Sequence, residues 1–248
     1  MLTELKFLLT VELYVLKKHI KEKTKQKWYY KFLPETVCEA FTLAEVLMTL
    51  LIIGIVASLT IPALINDTQD AELNTALKKV YAELSAATKQ IIFDNGGTFK
   101  GILSSDNDNI GLRNVYAAHL SYIKSCDDAR SEGCWHPLNT NGGIWKNLGG
   151  FPTDGYTIHS GFILNNGIFV NLVSINKACS NSSYYTKPAI CAWIIVDVNG
   201  FKKPNITGKD IFYFYILTDR LAPWGTTDSD HHECDLSGLY CAATKLMQ

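Results

Sequence analysis

One continuous apolar block dominates the hydropathy pattern of this chain. From Val46 to Ile65 the sequence has no ionisable side chain, and its only hydroxyl groups belong to Thr49, Ser58 and Thr60. A helix of this length rises about 30 Å, which matches the hydrocarbon core of a bilayer. The block is longer than the apolar core of a signal peptide, which has roughly 7 to 15 residues. The pattern therefore predicts a transmembrane helix, and the alternative is a fully buried helix in a soluble core.

Beyond this block the pattern becomes that of an amphipathic helix. Apolar residues recur every three or four positions, and charged residues occupy the opposite face. The apolar stripe consists of Leu73, Leu77, Val80, Tyr81, Leu84, Ala87 and Ile91. Gly96 and Gly97 then favour the end of the helix. The sequence predicts one helix from about Thr42 to about Phe93, on the order of 75 Å long. Its first half is apolar all round, and its second half has one face suited to a folded domain.

The C-terminal part of the chain has the sequence pattern of β-strands. Residues 156–175 contain two apolar runs joined by Asn165–Gly167, which favours a hairpin turn. The segments AICAWIIVDVNG and DIFYFYILTD predict a second pair of strands, and the FYFY aromatics are expected to pack in the core. Residues 98–150 predict loops with one short helix near residues 112–122. The predicted fold class is therefore α+β, with a long N-terminal helix packed against a small antiparallel β-sheet.

Charge is balanced over the whole chain but concentrated before the apolar block. The sequence has 23 basic and 24 acidic residues, which argues against a nucleic-acid binder held by a general basic surface. Residues 17–31, KKHIKEKTKQKWYYK, are strongly basic. A basic segment just before a membrane span is typical of the cytoplasmic side. The pattern predicts a cytoplasmic N-terminus and an exported C-terminal part.

The seven cysteines lie mostly after the apolar block. Cys38 precedes the block and the other six follow it. Those six form three pairs of neighbours along the chain, namely Cys126 with Cys134, Cys179 with Cys191, and Cys234 with Cys241. An even number on one side of a membrane favours disulfides in an oxidising compartment. Six cysteines can pair in many ways, so pairing between sequence neighbours is a hypothesis that rests only on their proximity along the chain. The alternative is that all six are free thiols.

The stretch AFTLAEVLMTLLIIGIVASLTIPALI resembles the N-terminal segment of type IV pilins and of type II secretion pseudopilins. In that family a small residue precedes a cleavage point, a phenylalanine follows it, and a glutamate comes four residues later at the head of a long apolar helix. Ala40, Phe41 and Glu45 stand at those positions. Gly54 and Pro62 fall where the family's helix commonly has glycine and proline. This chain departs from the family in having Ala40 instead of the usual glycine, and in the length of the segment before it.

The resemblance implies processing followed by assembly. A prepilin peptidase would cut between Ala40 and Phe41, and Phe41 would become the methylated N-terminus. The implied organisation is a cytoplasmic leader over residues 1–40 that is removed, a transmembrane and fibre-core helix over 41–65, an amphipathic continuation over 66–96, and an exported α+β globular domain over 97–248. The protein would be a substrate of processing enzymes and not itself an enzyme.

The resemblance also implies partners and a location. The implied partners are other pilins or pseudopilins in a homo- or hetero-oligomeric fibre, the prepilin peptidase and methyltransferase, an inner-membrane assembly platform and membrane lipid, with no nucleic acid. The chain would be a single-pass protein of the bacterial inner membrane before it enters a pseudopilus or pilus. The sequence does not decide between a pseudopilus and a pilus. The alternative function is that of a single-span membrane protein that never assembles and has an exported domain for ligand binding, adhesion or DNA uptake.

Glu45 needs a physical explanation because it stands at the edge of the apolar block. A carboxylate that enters the apolar phase of a bilayer unpaired costs several kcal/mol. Cleavage before Phe41 would create an amine four residues away, and in a packed fibre the amine of one subunit could pair with Glu45 of its neighbour. Such a pair would offset part of the burial cost and fix the axial register of the subunits. The alternative is a solvated acid at the N-terminus of a helix.

The segment VDVNGFKKPNITGKD places Asp197, Asn199 and Asp210 around a turn. Oxygen ligands at alternating positions followed by glycine resemble half of a calcium loop. The resemblance to pseudopilins adds that some members hold calcium in a C-terminal loop. Gly208 stands where an EF-hand would have its last acid, so the segment is not a complete EF-hand. The alternative is a polar connection between two strands.

Overall fold

A computed structural model describes residues 42–137, 145–153, 158–180, 190–226 and 234–248. The expected leader and the expected cleavage site between Ala40 and Phe41 lie outside these described residues. The chain divides into two compact units, Met1–Ser58 and Leu59–Gln248.

After Thr42, the described part of the first unit belongs to helix α1, whose bounds are Leu43–Asp94. The segment Leu43–Ile61 is a candidate membrane span of 19 residues with a mean hydropathy of 2.3, and none of that apolar window is buried inside the chain. By length and composition this helix can cross a membrane. The prediction of one membrane-length apolar helix is supported to that extent.

In the second unit, helix α1 buries one face against the sheet. The buried residues are Leu73, Leu77, Val80, Leu84, Ala87 and Ile91, which belong to the predicted apolar stripe. Tyr81, the remaining member of the stripe, is half-buried and stacks on Phe214 with 5.6 Å between ring centroids. After the last helical residue, the Gly97 N–H donates to the Ile92 carbonyl at 2.8 Å, and Gly97 has a φ of +92°. The two glycines end the helix because this backbone conformation is costly for other residues.

Within the described residues, six strands form one antiparallel sheet in the order β1-β4-β5-β6-β7-β8. Its strands are β1 (Tyr122–Cys126), β4 (Ser160–Leu164), β5 (Phe169–Ser174), β6 (Ile190–Asp197), β7 (Ile211–Leu217) and β8 (Leu221–Pro223). Two shorter strands, β2 (Trp145–Lys146) and β3 (Pro152–Thr153), pair separately. Both predicted strand pairs are present, as β4 with β5 and β6 with β7. The fold class is therefore α+β, as predicted.

The large sheet is buried on both faces. Phe212 and Phe214 of β7 belong to the cluster that includes the buried stripe of α1. Tyr213 and Tyr215 belong to a second cluster on the opposite face, together with Trp224. Because successive side chains of a strand point to opposite faces, the aromatic run of β7 contributes to both cores. This confirms the expectation that the FYFY aromatics serve packing.

One predicted helix has different bounds in the structure. The short helix expected near residues 112–122 is helix α2, Asn109–Ala117. It begins early because the Asp108 carboxylate accepts a hydrogen bond from the Gly111 N–H at 2.8 Å and caps it. Tyr122 instead opens β1, an edge strand that pairs with β4. The prediction missed β1 because its first three residues are exposed and lack an apolar alternation.

Three disulfides stabilise the second unit. They join Cys126 to Cys134, Cys179 to Cys191, and Cys234 to Cys241, with Cα–Cα distances of 6.1, 4.1 and 4.3 Å. The expected disulfides are thus present, between the cysteines that neighbour each other in sequence. The last bond ties helix α3, Cys241–Met247, to the segment before it.

Removal of the first disulfide, Cys126–Cys134, should destabilise the second unit. The two cysteines of this bond are eight positions apart in the sequence. Replacing both in a Cys126→Ala/Cys134→Ala variant opens the loop that they close, which should lower the free energy of unfolding by about 2–3 kcal/mol. Guanidinium unfolding followed by tryptophan fluorescence measures the change. Reduction of the natural protein should cost more, because it opens all three loops. An unchanged unfolding midpoint in the variant would show that the bond does not stabilise the fold.

Candidate functional site

The N-terminus of α1 is closed by a reciprocal set of hydrogen bonds between Thr42 and Glu45. The Thr42 backbone N–H and the Thr42 hydroxyl donate to Glu45 Oε2 at 3.0 and 3.1 Å. In return, the Glu45 N–H donates to the Thr42 hydroxyl oxygen at 3.2 Å. This arrangement is a capping box, which satisfies donors that the first turn of a helix leaves without partners.

The capping box gives Glu45 a role in closing the start of the helix that was not predicted from the sequence, where the alternatives were only pairing with a neighbour's amine and a solvated acid at the helix N-terminus. Threonine three residues before glutamate, ahead of an apolar run, is the signal that would have revealed it. Both residues are exposed in the chain. Their bonds fix the direction of the carboxylate at the head of the candidate span.

The remaining predicted features of this segment lie inside α1. Gly54 has no atom within 4 Å of the position where a Cβ would stand, so its surroundings are open. Pro62 also lies within the helix. Large apolar side chains here are widely exposed, for example Leu43 at 77% and Met48 at 66%. An exposed apolar surface of this kind is suited to contact with lipid or with other helices.

The loop between β6 and β7 brings the predicted calcium residues together with a histidine that the sequence did not single out. Asp197 is fully buried at the end of β6. Its Oδ2 lies 2.8 Å from His136 Nε2, and its Oδ1 accepts the Asn199 N–H at 3.1 Å. Asp210, also fully buried, accepts the N–H groups of Ile206 and Asn205 at 2.6 and 2.7 Å.

Burial controls the protonation of these two acids. Loss of solvent, together with the nearby charge of Asp210, raises the pKa of Asp197 to about 6, against the opposing effect of the hydrogen bond with His136. Burial likewise raises the pKa of Asp210, against the hydrogen bonds from the Ile206 and Asn205 N–H groups. A cation placed among these carboxylates would lower both pKa values, because it favours the ionised forms.

Two oxygen atoms in the same loop are buried without a hydrogen-bond partner. They are the side-chain carbonyl oxygens of Asn199 and Asn205. Carboxylate and amide oxygens are the ligands that calcium prefers, so the donor set of Asp197, Asn199, Asn205 and Asp210 fits a hard cation in its chemistry. Among the described residues there is no group of three or more His, Cys, Asp or Glu side chains placed to hold a metal ion. A cation here would therefore depend on amide oxygens as well as on the two carboxylates.

A polar depression of about 430 Å³ lies beside the start of α2. The acidic side chains that line it already make hydrogen bonds or ion pairs within the fold. Asp108 caps α2, Asp127 pairs with Arg113, and Asp128 accepts backbone N–H groups of its own turn. Hydrogen bonds hold the pKa values of Asp108 and Asp128 below their usual range. These contacts explain the acids as parts of the fold.

Comparison of the chain with protein-family models, with curated proteins and with solved structures gave no match.

Proposed function

We propose that this chain is a pilin-like structural subunit of a type II secretion pseudopilus or a type IV pilus. It would be cut between Ala40 and Phe41 by a prepilin peptidase and methylated on Phe41. It would then wait in the inner membrane through helix α1, with its N-terminus in the cytoplasm and its disulfide-bonded domain outside. Assembly would transfer the apolar part of α1 from lipid to the centre of a fibre.

The exposed apolar surface of Leu43–Ile61 is the observation that carries this proposal. None of this apolar window is buried within the chain, although its mean hydropathy is 2.3. In water such a surface would drive association. A bilayer covers it before assembly, and a bundle of equivalent helices covers it afterwards. Both environments suit a helix that is apolar all round.

Glu45 supports the assembly step. A carboxylate accepts several hydrogen bonds at once, so its bonds to Thr42 are compatible with a further donor. The ammonium group of a processed Phe41 from a neighbouring subunit is such a donor. A charge-assisted bond is stronger than a neutral one, most of all where water is excluded. The capping box would then present the carboxylate in a fixed direction to the incoming amine.

Fractionation of sheared cells tests the proposal. An assembled subunit should be recovered in sheared fibres that electron microscopy shows, and the recovered chain should lack residues 1–40. The competing function is a single-span protein with an exported ligand-binding domain that never assembles. That protein would remain wholly in the membrane fraction under the same treatment.

We further propose that the β6–β7 loop binds calcium, on the evidence of the two buried amide oxygens without partners. Calcium at a hundredfold excess over its Kd should then stabilise the folded state by about 2.7 kcal/mol. The gain should be present at neutral pH and fall as the pH drops below about 6, because Asp197 then takes up a proton.

Thermal unfolding with calcium or with a chelator measures this gain. Asp197→Asn should abolish the calcium-dependent rise in Tm, whereas Asp219→Asn, at an exposed acid elsewhere, should preserve it. Equal melting temperatures of the natural protein in calcium and in chelator would contradict the calcium proposal. The pilin-like assignment does not depend on this result.

A further inference from the structure

The β6–β7 loop also presents an aromatic ring and two lysines to solvent. Phe201 is 60% exposed, and Lys202 and Lys203 beside it are exposed as well. The Phe201 ring is not loose on the surface. It packs edge-on against Phe169 at 4.5 Å and against His136 at 5.6 Å between ring centroids. A large apolar group is therefore held in place while much of it faces outward.

Two contacts tie this loop to helix α1. The Gln69 side-chain amide donates to the Lys203 carbonyl oxygen at 3.4 Å. Asp70 Oδ1 lies 3.2 Å from Lys209 Nζ. Within the loop, the Asn199 amide also donates to the Lys203 carbonyl oxygen, at 3.0 Å. The loop thus lies beside the turn of α1 that contains Gln69 and Asp70.

That turn lies close to the end of the candidate membrane span. The span ends at Ile61, and the eight residues from there to Gln69 rise about 12 Å along the helix. The polar layer of a bilayer is roughly 5–8 Å thick on each side. Phe201 is two residues from Lys203, a reach of at most about 7 Å, so its ring can enter that layer.

Lys202 and Lys203 are the basic residues near this turn of α1 that are available to contact another molecule. Asp70 pairs with Lys209. No ion pair is seen between Lys202 or Lys203 and any acid among the described residues. The sequence also places Asp67 and Glu72 on this stretch of α1, so the level carries little net charge. The two lysines would therefore act by direct contact with phosphate and not through a broad positive field.

We infer that Phe201, Lys202 and Lys203 form a second membrane contact, in which the ring enters the headgroup layer and the lysines bind lipid phosphates. Segments that bind at the membrane surface combine apolar side chains such as Phe, which enter the headgroup boundary, with lysines that face the lipid headgroups. The contact would hold the exported domain against the outer surface of the bilayer until the subunit leaves the membrane. This inference rests on the proposed membrane anchoring by α1, but not on fibre assembly.

Fluorine NMR of the full chain in lipid nanodiscs tests the contact. Phe201 is replaced by 4-trifluoromethylphenylalanine, and the discs contain phosphatidylcholine, phosphatidylglycerol and a little lipid with a gadolinium chelate on its headgroup. The inference predicts strong relaxation enhancement at position 201. The same label at Phe93, which is 77% exposed and about 36 Å further along α1 than Gln69, should show none.

Charge reversal provides the matched control. Lys202→Glu/Lys203→Glu should shift the equilibrium away from the docked state by roughly fivefold for each lysine and so reduce the enhancement at position 201. Lys100→Glu/Lys177→Glu changes two exposed lysines that lie together beyond the far end of α1. This control pair should leave the enhancement unchanged.

The outcomes separate the contact from the anchoring on which it rests. Flotation of the full chain with vesicles of the same lipids reports anchoring by α1. A chain that floats but shows no more enhancement at position 201 than at Phe93 overturns the second contact alone. An enhancement that both charge-reversal pairs leave unchanged overturns the role of the lysines. A chain that does not float overturns both the contact and the anchoring.

Discussion

A Glu45→Ala variant is expected to be cleaved and methylated normally but to yield at least about tenfold less sheared fibre. The substitution removes the carboxylate that would receive the amine of a neighbouring subunit. A hydrogen bond to a charged group contributes about 1.5–3 kcal/mol, which corresponds to roughly ten- to hundredfold in the equilibrium for each added subunit. An ammonium group left unpaired in the fibre core would increase the loss. Quantification of processed chain in sheared and cell-bound fractions measures the effect.

Thr42→Val separates this role from helix capping. It removes the hydroxyl that bonds to Glu45 and keeps the carboxylate. Loss of a cap costs typically about 1 kcal/mol, so fibre yield should fall much less than in Glu45→Ala. Unchanged assembly of a normally processed Glu45→Ala chain would contradict the pairing. An equal loss in both variants would show that the cap, and not the charge pair, is what assembly requires.

A Leu84→Ala variant is expected to lower the free energy of unfolding of the second unit, Leu59–Gln248, by about 2–5 kcal/mol. Leu84 is fully buried in the cluster between α1 and the sheet. Its truncation removes apolar contacts and leaves a cavity that a close-packed core does not fill. Guanidinium unfolding of the full chain in detergent, followed through the buried Trp135 and Trp224, measures the change.

Leu50→Ala is the matched control on the same helix. Leu50 is 59% exposed within the candidate span, so its truncation should change the stability of the domain by less than about 0.5 kcal/mol. The two variants should differ because Leu84 packs on the sheet, whereas Leu50 is exposed. A large loss in Leu50→Ala would mean that the span packs on its own domain, and this would contradict the proposal that the span faces lipid.

The sequence predicted those elements whose hydrophobic period is strong. The stripe from Leu73 to Ile91 repeats every three or four residues, and helix α1 buries it. The hairpin at Asn165–Gly167 has both apolar runs and turn residues, and β4 pairs with β5 around it. The exposed edge strand β1 lacks such a period. Its place in the sheet comes from long-range pairing with β4, which local pattern does not report.

Some features of the candidate sites can be recognised in the sequence, whereas others exist only in the folded chain. Glu45 stands out in the sequence because it is a lone acid ahead of a long apolar run. His136 does not stand out in the sequence, yet it contacts Asp197, 61 positions away. No spacing rule connects residues this distant, since the sheet brings them together. The two buried amide oxygens of Asn199 and Asn205 were equally invisible, because their lack of a partner is a property of the folded loop.

Mass spectrometry of the N-terminus of the mature chain, purified from membranes of its native cells, tests the central claim most directly. The account predicts a terminus at Phe41 that carries one methyl group, with residues 1–40 removed. That result would also show that Ala40 is accepted where the resembling family usually has glycine. A chain that keeps residues 1–40, or that begins at a residue other than Phe41, would contradict the assignment as a processed pilin-like subunit.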